Sequence, residues 1–585
     1  MSKAENLQEE ILDQNPTDEQ KEAIFTEELE FLLRASPGSG KTWTSCRRFI
    51  WRGVNWNYKV GGLALLSFTN SAIREFHEAA INVRCIGLTS DPNYVGTFDS
   101  FVERFIITPF GHLITGSTKR PKLFIAPRPG DRNNKKLTAW TEVGGGSKRP
   151  IPAWEIIPFP ELEQPGFRAS SKYGGKTLEF KWNNPVDEFF KHGFYTHNQR
   201  VYLAWRILID RPHIAKCLSR RFPEIIVDEA QDTNIWLLIL LKLLRENGTK
   251  VTLIGDPDQC IYEFSLADAT SLPTLKKEWG IPEKPLSQSF RCNNPIAESV
   301  LNISGNTSFT GCGTNGNAFH RSFVIREPNL NFSTCIKEFQ KLLNRAEIPL
   351  SNTAILCRGV QQLETIRGVA NYTKLQGLTK KMALAAFHRD VRRDYNKALQ
   401  IVENAIREMI DEPAFWETMD EDSESEISHR VRLALWKFTK FSEGLPSLSE
   451  NGADWIDNLR INLLKLLTVI GITNIPKMGM KIRRNGLAVE QLQSPLFHPQ
   501  TVFPRIRQET IHQVKGESID GVLVLGSSKF FNAVVQAVKS KKNTEERRLA
   551  YVAMTRARHT LLIGLPASHY DTHLSSWLKW GFNTL

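Results

Sequence analysis

The sequence predicts an α/β protein built as two lobes, each a parallel sheet flanked by helices and each interrupted by one insertion subdomain. Short apolar runs, among them Gly62 to Phe68, Glu224 to Val227 and Val251 to Ile254, read as buried strands that end in polar or acidic residues. Open parallel sheets bind their ligands at such carboxyl ends. A glycine-rich loop separates another of these runs from a helix, and 585 residues exceed the roughly 250 to 300 at which a single core stops growing.

The chain is organised around Phe31 to Trp43, FLLRASPGSGKTW. Phe31, Leu32 and Leu33 close a strand, Ala35, Ser36, Pro37, Gly38, Ser39 and Gly40 make a tight loop, and Lys41 and Thr42 open a helix expected to continue through Arg48. In such a phosphate-binding loop Gly38 and Gly40 let the backbone curl, so that successive N–H groups and the helix N-terminus face one anion. Lys41 adds a positive charge and the Thr42 hydroxyl is a Mg²⁺ ligand. Ala35 stands where a glycine is usual. ATP or GTP binding is expected. Just upstream, Thr17 is expected to cap a helix that carries Gln20.

Glu224 to Asp232, EIIVDEAQD, is the second chemical stretch. Its strand delivers adjacent carboxylates. Asp228 is placed to hold Mg²⁺ through water, and Glu229 to orient and deprotonate the water that attacks the γ-phosphate. The next strand ends in Gly255-Asp256-Pro257-Asp258-Gln259, where Gln259 is placed to sense that phosphate. The second half should supply strands at 353–356, 521–525 and 560–563 but has no GKT or GKS of its own. A lobe of that kind is useful as the other wall of a shared ATP site. Arg291 and Arg556 are its candidate contributions, since a guanidinium on the γ-phosphate stabilises transition-state charge.

Lys plus Arg number 75 against 63 Asp plus Glu, a net charge of +12 that favours a polyanionic partner. The eight cysteines are scattered, with no CxxC pair and no Cys/His cluster at zinc spacing, so reduced thiols in a cytoplasmic protein are expected. The N-terminus is charged from the outset and is no secretory signal. No run of about 18 apolar residues suggests a membrane span.

Between Gly111 and about Trp182 the texture turns to Gly, Pro and Lys/Arg, and residues 118–150 hold nine basic and two acidic side chains. This reads equally as a solvated loop and as a segment touching nucleic-acid phosphate. Helical periodicity returns from Thr196 to Arg221, with Val201, Leu203, Ala204, Ile207 and Leu208 on one face. A second insertion should be mostly helical. It holds a basic segment with Lys374, Lys380, Lys381, Arg389, Arg392, Arg393 and Lys397, and an acidic run, Asp411 to Glu426, expected to be a mobile loop.

Taken in order, the Gln20 segment, ASPGSGKT, SFTNSA, GTFDSF, IIVDEAQDTN, GDPDQCIY, LSQSFRC, TIHQVKGES and LAYVAMTRAR resemble the motif series of UvrD/Rep-type superfamily 1 DNA helicases, from Gln20 to Arg556. The resemblance implies two RecA-like lobes: 1–110 with 218–282, interrupted by 111–217, and 283–360 with 500–585, interrupted by 361–499. It implies that the lobes close on ATP and Mg²⁺, step along single-stranded DNA in the 3′ to 5′ direction and open tailed duplex DNA. Gln20 is then the adenine-reading glutamine, Lys41, Thr42 and Asp228 the phosphate and metal residues, Glu229 the water residue, and Gln259, Arg291 and Arg556 the γ-phosphate sensors. Phe68, Thr69, Asn70, Thr97, Phe98, Tyr262, Phe264, Thr510 and His512 match DNA-contact positions. A base stacked on a ring is worth about 1 to 3 kcal/mol whatever its identity, which suits a translocating motor.

Several residues depart from the family pattern. Trp43 stands where an arginine beside the adenine is common, and Phe290 occupies the partner position, so an aromatic sandwich around the base is expected. KGES, Lys515 to Ser518, replaces the usual KGLEF, so Gly516 and Glu517 are kept as nucleotide-contact candidates, with the ribose-contacting glutamate either shifted by one to Glu517 or lost to Ser518. Glu263 and Ser265 replace arginines that often flank the track aromatics, so a weaker DNA grip is expected. Thr97 to Phe110 is similar to the helicase subunit of Gabija-type anti-phage systems, which acts beside an OLD-like nuclease. Anti-phage defence and DNA repair both stay open, as does the oligomeric state.

Two functions follow: an ATP-dependent translocase or helicase, and an ATP-gated DNA-binding regulatory subunit that licenses a partner nuclease with little unwinding of its own. A small-molecule kinase would not need the track residues, and a GTPase would carry an NKxD motif, which is missing here.

Overall fold

The structure, a computed structural model, describes residues 3–68, 70–117, 120–124, 138–143, 147–160, 165–169, 179–180, 186–261, 271–304, 309–313, 316–328, 332–359, 362–363, 366, 377–390, 393–410, 415–416, 426–450, 452–472, 477–483 and 506–585. Two compact units are present, one of Met1–Glu327, Glu338–Leu356 and Ile511–Leu585, the other of Pro328–Lys337 and Cys357–Thr510. The fold class read from the sequence, two helix-flanked parallel sheets, is the one the chain adopts.

In the first sheet the strands run in the order Glu283–Leu286, Leu32–Ala35, Lys250–Gly255, Glu224–Val227, Leu63–Ser67 and Tyr94–Thr97, every neighbouring pair parallel. Leu63–Ser67 and Glu224–Val227 are buried along their whole length. Helices cover both faces of such strands, which is why they read as unbroken apolar runs rather than alternating ones. Glu224 is tolerated there because Arg52 meets both of its carboxylate oxygens, at 3.0 and 2.5 Å.

This strand order separates two kinds of chemistry. The strands that lead to the phosphate loop, to Gln259 and to the acidic pair are adjacent, whereas Phe68 and the Thr97–Phe98 pair leave the two strands beyond them. Glu283–Leu286, assigned from the sequence to the start of the second lobe, instead closes the first sheet. It pairs along the outer edge of the phosphate-loop strand, with Leu286 opposite Ala35, so that the strand carrying the loop is not left as an open edge.

The second sheet of this unit runs Thr353–Cys357, Ile519–Leu525, Ala557–Pro566, Ser322–Glu327 and Asn583–Thr584. Ser322–Glu327 is not among the strands expected from the sequence, since its charged Arg326 and Glu327 interrupt the apolar run. It nevertheless lies parallel between Ala557–Pro566 and Asn583–Thr584.

Local signals place the helices. Thr17 and Gln20 form a reciprocal capping box at the start of Asp18–Phe25. The helix Lys41–Val54 starts directly after Gly40, at φ 77°, and runs about one and a half turns past Arg48. The helical stretch read as Thr196 to Arg221 is two helices, His197–Asp210 and Pro212–Arg221, because Pro212 cannot donate to the preceding turn.

The first insertion keeps a small apolar cluster of its own, Ala153 and Phe189 with Phe124, Trp154 and Phe194, but shares its larger core with the first lobe. Its strands Thr138–Val143, Ser147–Pro152, Ile156–Phe159 and Gly166–Ala169 contribute Ile151, Ile156 and Phe167 to one apolar core with Leu66, Val227 and Trp236 of the first lobe. Much of the basic stretch 118–150 lies outside the described residues.

The second unit packs Gly377–Asp390, Tyr395–Met409, Glu426–Lys440 and Gly452–Val469 around Met382, Phe387, Ile406, Trp455 and Leu463. Arg389 from the basic segment is buried, holding Asp390 and the carbonyls of Leu445 and Pro446. It braces this unit and offers no charge to DNA. Lys374, Arg392 and most of the acidic run lie outside the described residues. Among the described residues no helix is long and apolar enough to cross a membrane.

Candidate functional site

The phosphate loop leaves its strand at Ala35 and turns through Gly38 and Gly40, at φ 73° and 77°. These are left-handed values that glycine adopts without strain. Space demands glycine as well. A Cβ on Gly38 would stand 2.5 Å from Arg291 Cβ, and one on Gly40 would stand 2.9 Å from Gln20 Nε2. Ser39 Oγ is buried with no hydrogen-bond partner among the described residues, a polar group left for an anion's oxygen to satisfy. Gln20 braces the loop from below: Nε2 donates to Ser39 O at 3.1 Å, while Oε1 accepts from Thr17 N at 3.0 Å.

Facing the loop, Lys41 Nζ lies 3.2 Å from Glu229 Oε2, and Thr42 Oγ1 donates to Asp228 Oδ2 at 3.3 Å. Asp228 Oδ1 is buried and has no partner among the described residues. A hydroxyl beside an orphaned carboxylate oxygen is a donor set that fits a hard, oxygen-seeking cation. Burial, followed by the charge of Glu229, pushes the Asp228 carboxyl well up. Against the same upward push of burial, Lys41 and then Lys515 hold Glu229 below the usual carboxylate range. Glu229 also sits at φ 53°, a left-handed backbone rarely adopted by a side-chain-bearing residue and concentrated at functional sites.

The second lobe reaches the same place. Ser289 Oγ donates to Pro37 O and Phe290 N to Gly38 O, both at 2.8 Å, so the LSQSFRC segment lies on the phosphate loop itself. Arg291 is held by Ser518 Oγ at 2.8 Å and Gly516 O at 3.0 Å. Arg556 is fully buried and donates to Val552 O at 3.0 Å, Glu517 O at 3.3 Å and Gln259 Oε1 at 3.5 Å. Burial and the proximity of Arg291 bring its guanidinium down to about 9. Glu229 acts electrostatically on both arginines. Thus Lys41, Thr42, Asp228, Glu229, Gln259, Arg291 and Arg556 come together in one cleft.

Ser518, left open as a substitute for a ribose-contacting glutamate, uses its hydroxyl to orient Arg291. Trp43 is half-buried with Arg47 over its ring at 4.2 Å, and Phe290 is 50% exposed. An arginine therefore does lie beside the position of Trp43, one helical turn later than the family pattern.

The DNA-track candidates are less uniform. Phe68 is half-buried with its ring 5.3 Å from that of Phe98, but Phe98 is 4% exposed and belongs to the lobe's core. Its ring is committed to packing, so it offers no face to a base. Thr97 caps the helix Phe98–Val102. His512 Nε2 lies 3.2 Å from Ile261 O, and Thr510 is buried at the end of Arg507–Thr510. Asn70 starts the helix Asn70–Asn82. Thr69, Tyr262, Glu263, Phe264 and Ser265 lie outside the described residues.

Residue-type reasoning assigns no role to Lys515, Asp232, Gln231, Asp256 or Tyr551. All lie inside the quoted motifs, yet Lys515 pairs with Asp232 and Tyr551 with Asp256 across the lobes, which no local spacing encodes, while Gln231 joins Glu229 and Asp256 within the first lobe.

Residues 16–125 and 179–279 match the family model of the UvrD/REP helicase N-terminal domain, and residues 372–567 match that of the UvrD-like helicase C-terminal domain. The chain is 22% identical to DNA helicase II of Salmonella typhimurium, over 93% of this chain and 84% of that protein. It is 24% identical to DNA helicase II of Rickettsia typhi, over 93% and 91%, and 21% identical to ATP-dependent DNA helicase PcrA of Staphylococcus aureus, over 96% and 84%. Matched in both halves, the chain belongs to the UvrD/REP helicase family and is an ATP-dependent DNA helicase.

Proposed function

We propose that the two lobes hydrolyse ATP at their shared cleft and convert its closure into 3′ to 5′ steps along single-stranded DNA, opening tailed duplexes. The observation that carries the reading is the convergence of Arg291 and Arg556 from the second lobe with Glu229 and Gln259 from the first. Hydrolysis at such a cleft needs both lobes, so a turnover cycle makes and breaks their contact. The direction rests on the family resemblance.

In this reading Lys41 and the loop N–H groups hold the phosphates, and Glu229 orients and deprotonates the attacking water. Gln259, Arg291 and Arg556 stabilise charge developing on the γ-phosphoryl group. Thr42 and Asp228 would hold Mg²⁺, which supplies charge neutralisation across the phosphates. The test is strand displacement on duplexes with a 3′ or a 5′ single-stranded tail, with Lys41→Ala as control. Displacement confined to the 3′ tail and lost in Lys41→Ala is expected; displacement from the 5′ tail alone would reverse the direction.

Glu263 and Ser265 favour a second reading, in which the chain grips DNA weakly and serves a partner nuclease, in anti-phage defence or in repair. Each phosphate left without a basic partner lowers the salt slope of single-strand binding by about 0.7. Strong DNA-stimulated ATP turnover with little displacement by the isolated chain would select this reading. Long-duplex unwinding by the isolated chain in physiological salt would remove it.

A further inference from the structure

We propose that Tyr551 and Asp256 are positioning residues of the ATPase: the Tyr551 hydroxyl from the second lobe and the Gln259 amide from the first share one carboxylate oxygen of Asp256, so that the second lobe sets the γ-phosphate sensor and, through Gln231, the base. This rests on the reading of the cleft as an ATP-hydrolysing site. Tyr551 lies on the helix Glu545–Met554, five residues before Arg556, and is 1% exposed; Asp256 is completely buried. A hydroxyl so deeply placed must find a partner. Its partner is Asp256 Oδ2, at 3.1 Å, in the other lobe.

The same oxygen accepts from Gln259 Nε2 at 2.8 Å, while Asp256 Oδ1 accepts from Asp258 N at 3.1 Å and fixes the turn Pro257–Gln259. The opposite end of the Gln259 amide, Oε1, accepts from Arg556. The sensor's orientation is therefore dictated at both ends by groups tied to one second-lobe helix. In the other direction, Asp256 N donates to Gln231 Oε1 at 3.0 Å, and Gln231 Nε2 donates to Glu229 Oε2. A line of hydrogen bonds that passes through the side chain and backbone of Asp256 thus joins Tyr551 to the carboxylate that handles the attacking water. Burial, then the neighbouring Asp258, pushes the Asp256 carboxyl up, so the carboxylate form depends on keeping its donors.

Tyr551→Phe deletes the hydroxyl and keeps the ring in the core. Loss of one hydrogen bond to a charged group predicts a fall in DNA-stimulated kcat of about tenfold or more, with KM for ATP changed less than about twofold, because nothing that touches bound nucleotide is removed. Gln259→Ala should then cost much less in the Tyr551→Phe background than in the wild type, since both act through one orientation. Asp256→Asn turns a donor toward Gln259 and should give at least the same loss of kcat, with no further loss when combined with Tyr551→Phe. A kcat unchanged in Tyr551→Phe, or penalties that multiply in the double variants, overturns the inference while leaving the ATPase reading intact. A drop in thermal stability that accounts for the activity lost in both single variants also overturns it. ATP turnover that survives Lys41→Ala overturns the reading and the inference together.

Discussion

Lys515 Nζ lies 2.6 Å from both carboxylate oxygens of Asp232, joining the TIHQVKGES turn of the second lobe to the DEAQD turn of the first. Both side chains are about nine-tenths buried, at 11% and 10% exposure. Removing one partner of such a pair strands a buried charge at a cost of about 3 to 5 kcal/mol. Lys515 also faces Glu229 and helps to keep that carboxylate ionised, so the pair links the approach of the lobes to the state of the base.

Lys515→Ala and Asp232→Ala are therefore both expected to lower the melting temperature and the DNA-stimulated ATP turnover. The uncharged pair Asp232→Asn with Lys515→Met should recover the melting temperature, because no lone charge remains, but should not recover turnover. Thermal denaturation and steady-state ATPase on the same preparations separate the two effects. Full recovery of both would reduce Lys515 to a purely structural role.

Lys41 and Glu229 are bonded to each other at 3.2 Å, so nucleotide phosphate must compete with Glu229 for the lysine. Glu229→Gln removes that competitor along with the base. It is expected to bind ATP at least as tightly as wild type while losing about 10² to 10⁴ in kcat. Lys41→Ala should instead weaken binding and abolish turnover together. Nucleotide titration with a fluorescent ATP analogue, alongside single-turnover hydrolysis, reads both quantities. Near-normal turnover in Glu229→Gln would move the base to another residue.

The ATP half of the cleft is legible in the sequence because its chemistry needs fixed local spacing. A loop between strand and helix demands Gly38, Gly40 and Lys41 in order, and a strand end presents Asp228 and Glu229 side by side. Phe98 misleads for a general reason: an aromatic at a strand's carboxyl end satisfies a base face and an apolar core equally well, and only the packing against Phe68 and the lobe core decides. Arg389 reads only as one residue of a basic segment until the carbonyls that surround it are known. Glu283–Leu286 has too few apolar residues to announce itself as a strand, and its place in the first sheet is set by the partner edge of Leu32–Ala35. Pairings such as Lys515 with Asp232, about 280 residues apart, are invisible to any windowed reading.

The base pocket gives a further expectation. Arg47 lies over the Trp43 ring at 4.2 Å, the half-buried indole packs against the first-lobe core, and Phe290 presents an exposed ring from the second lobe. Stacking on one such ring is worth about 0.5 to 1.5 kcal/mol, so Trp43→Ala and Phe290→Ala should each weaken ATP and GTP binding by about two- to tenfold. Gln20→Ala should raise both dissociation constants by similar factors, because its amide is already committed to Ser39 and Thr17 at the base of the loop. A loss confined to ATP in Gln20→Ala would instead assign it to the adenine edge. Equilibrium binding of both nucleotides to the three variants decides.

Stability should depend on pH through His569. This residue is 1% exposed, and Trp577 Nε1 donates to its Nε2 at 3.0 Å while its Nδ1 lies 2.6 Å from Asn532 Oδ1. An imidazole that accepts on one nitrogen and donates on the other is neutral, and a second proton would set two donors against each other at Trp577. Burial, and then the neighbouring His573, bring its pKa from 6.5 down to about 4. The unfolded chain therefore binds this proton more readily than the folded one between these values. The stabilisation is complete above the unfolded value, is lost progressively as pH falls towards the folded one, and changes no further below it. His569→Gln can keep an acceptor towards Trp577 and a donor towards Asn532 without taking up a proton. It is expected to lower the melting temperature at pH 7.5 through imperfect packing, yet to show a shallower decline between pH 6.5 and 4.5 than the wild type. Parallel melting curves for the two proteins across that interval would place the acid sensitivity elsewhere in the molecule.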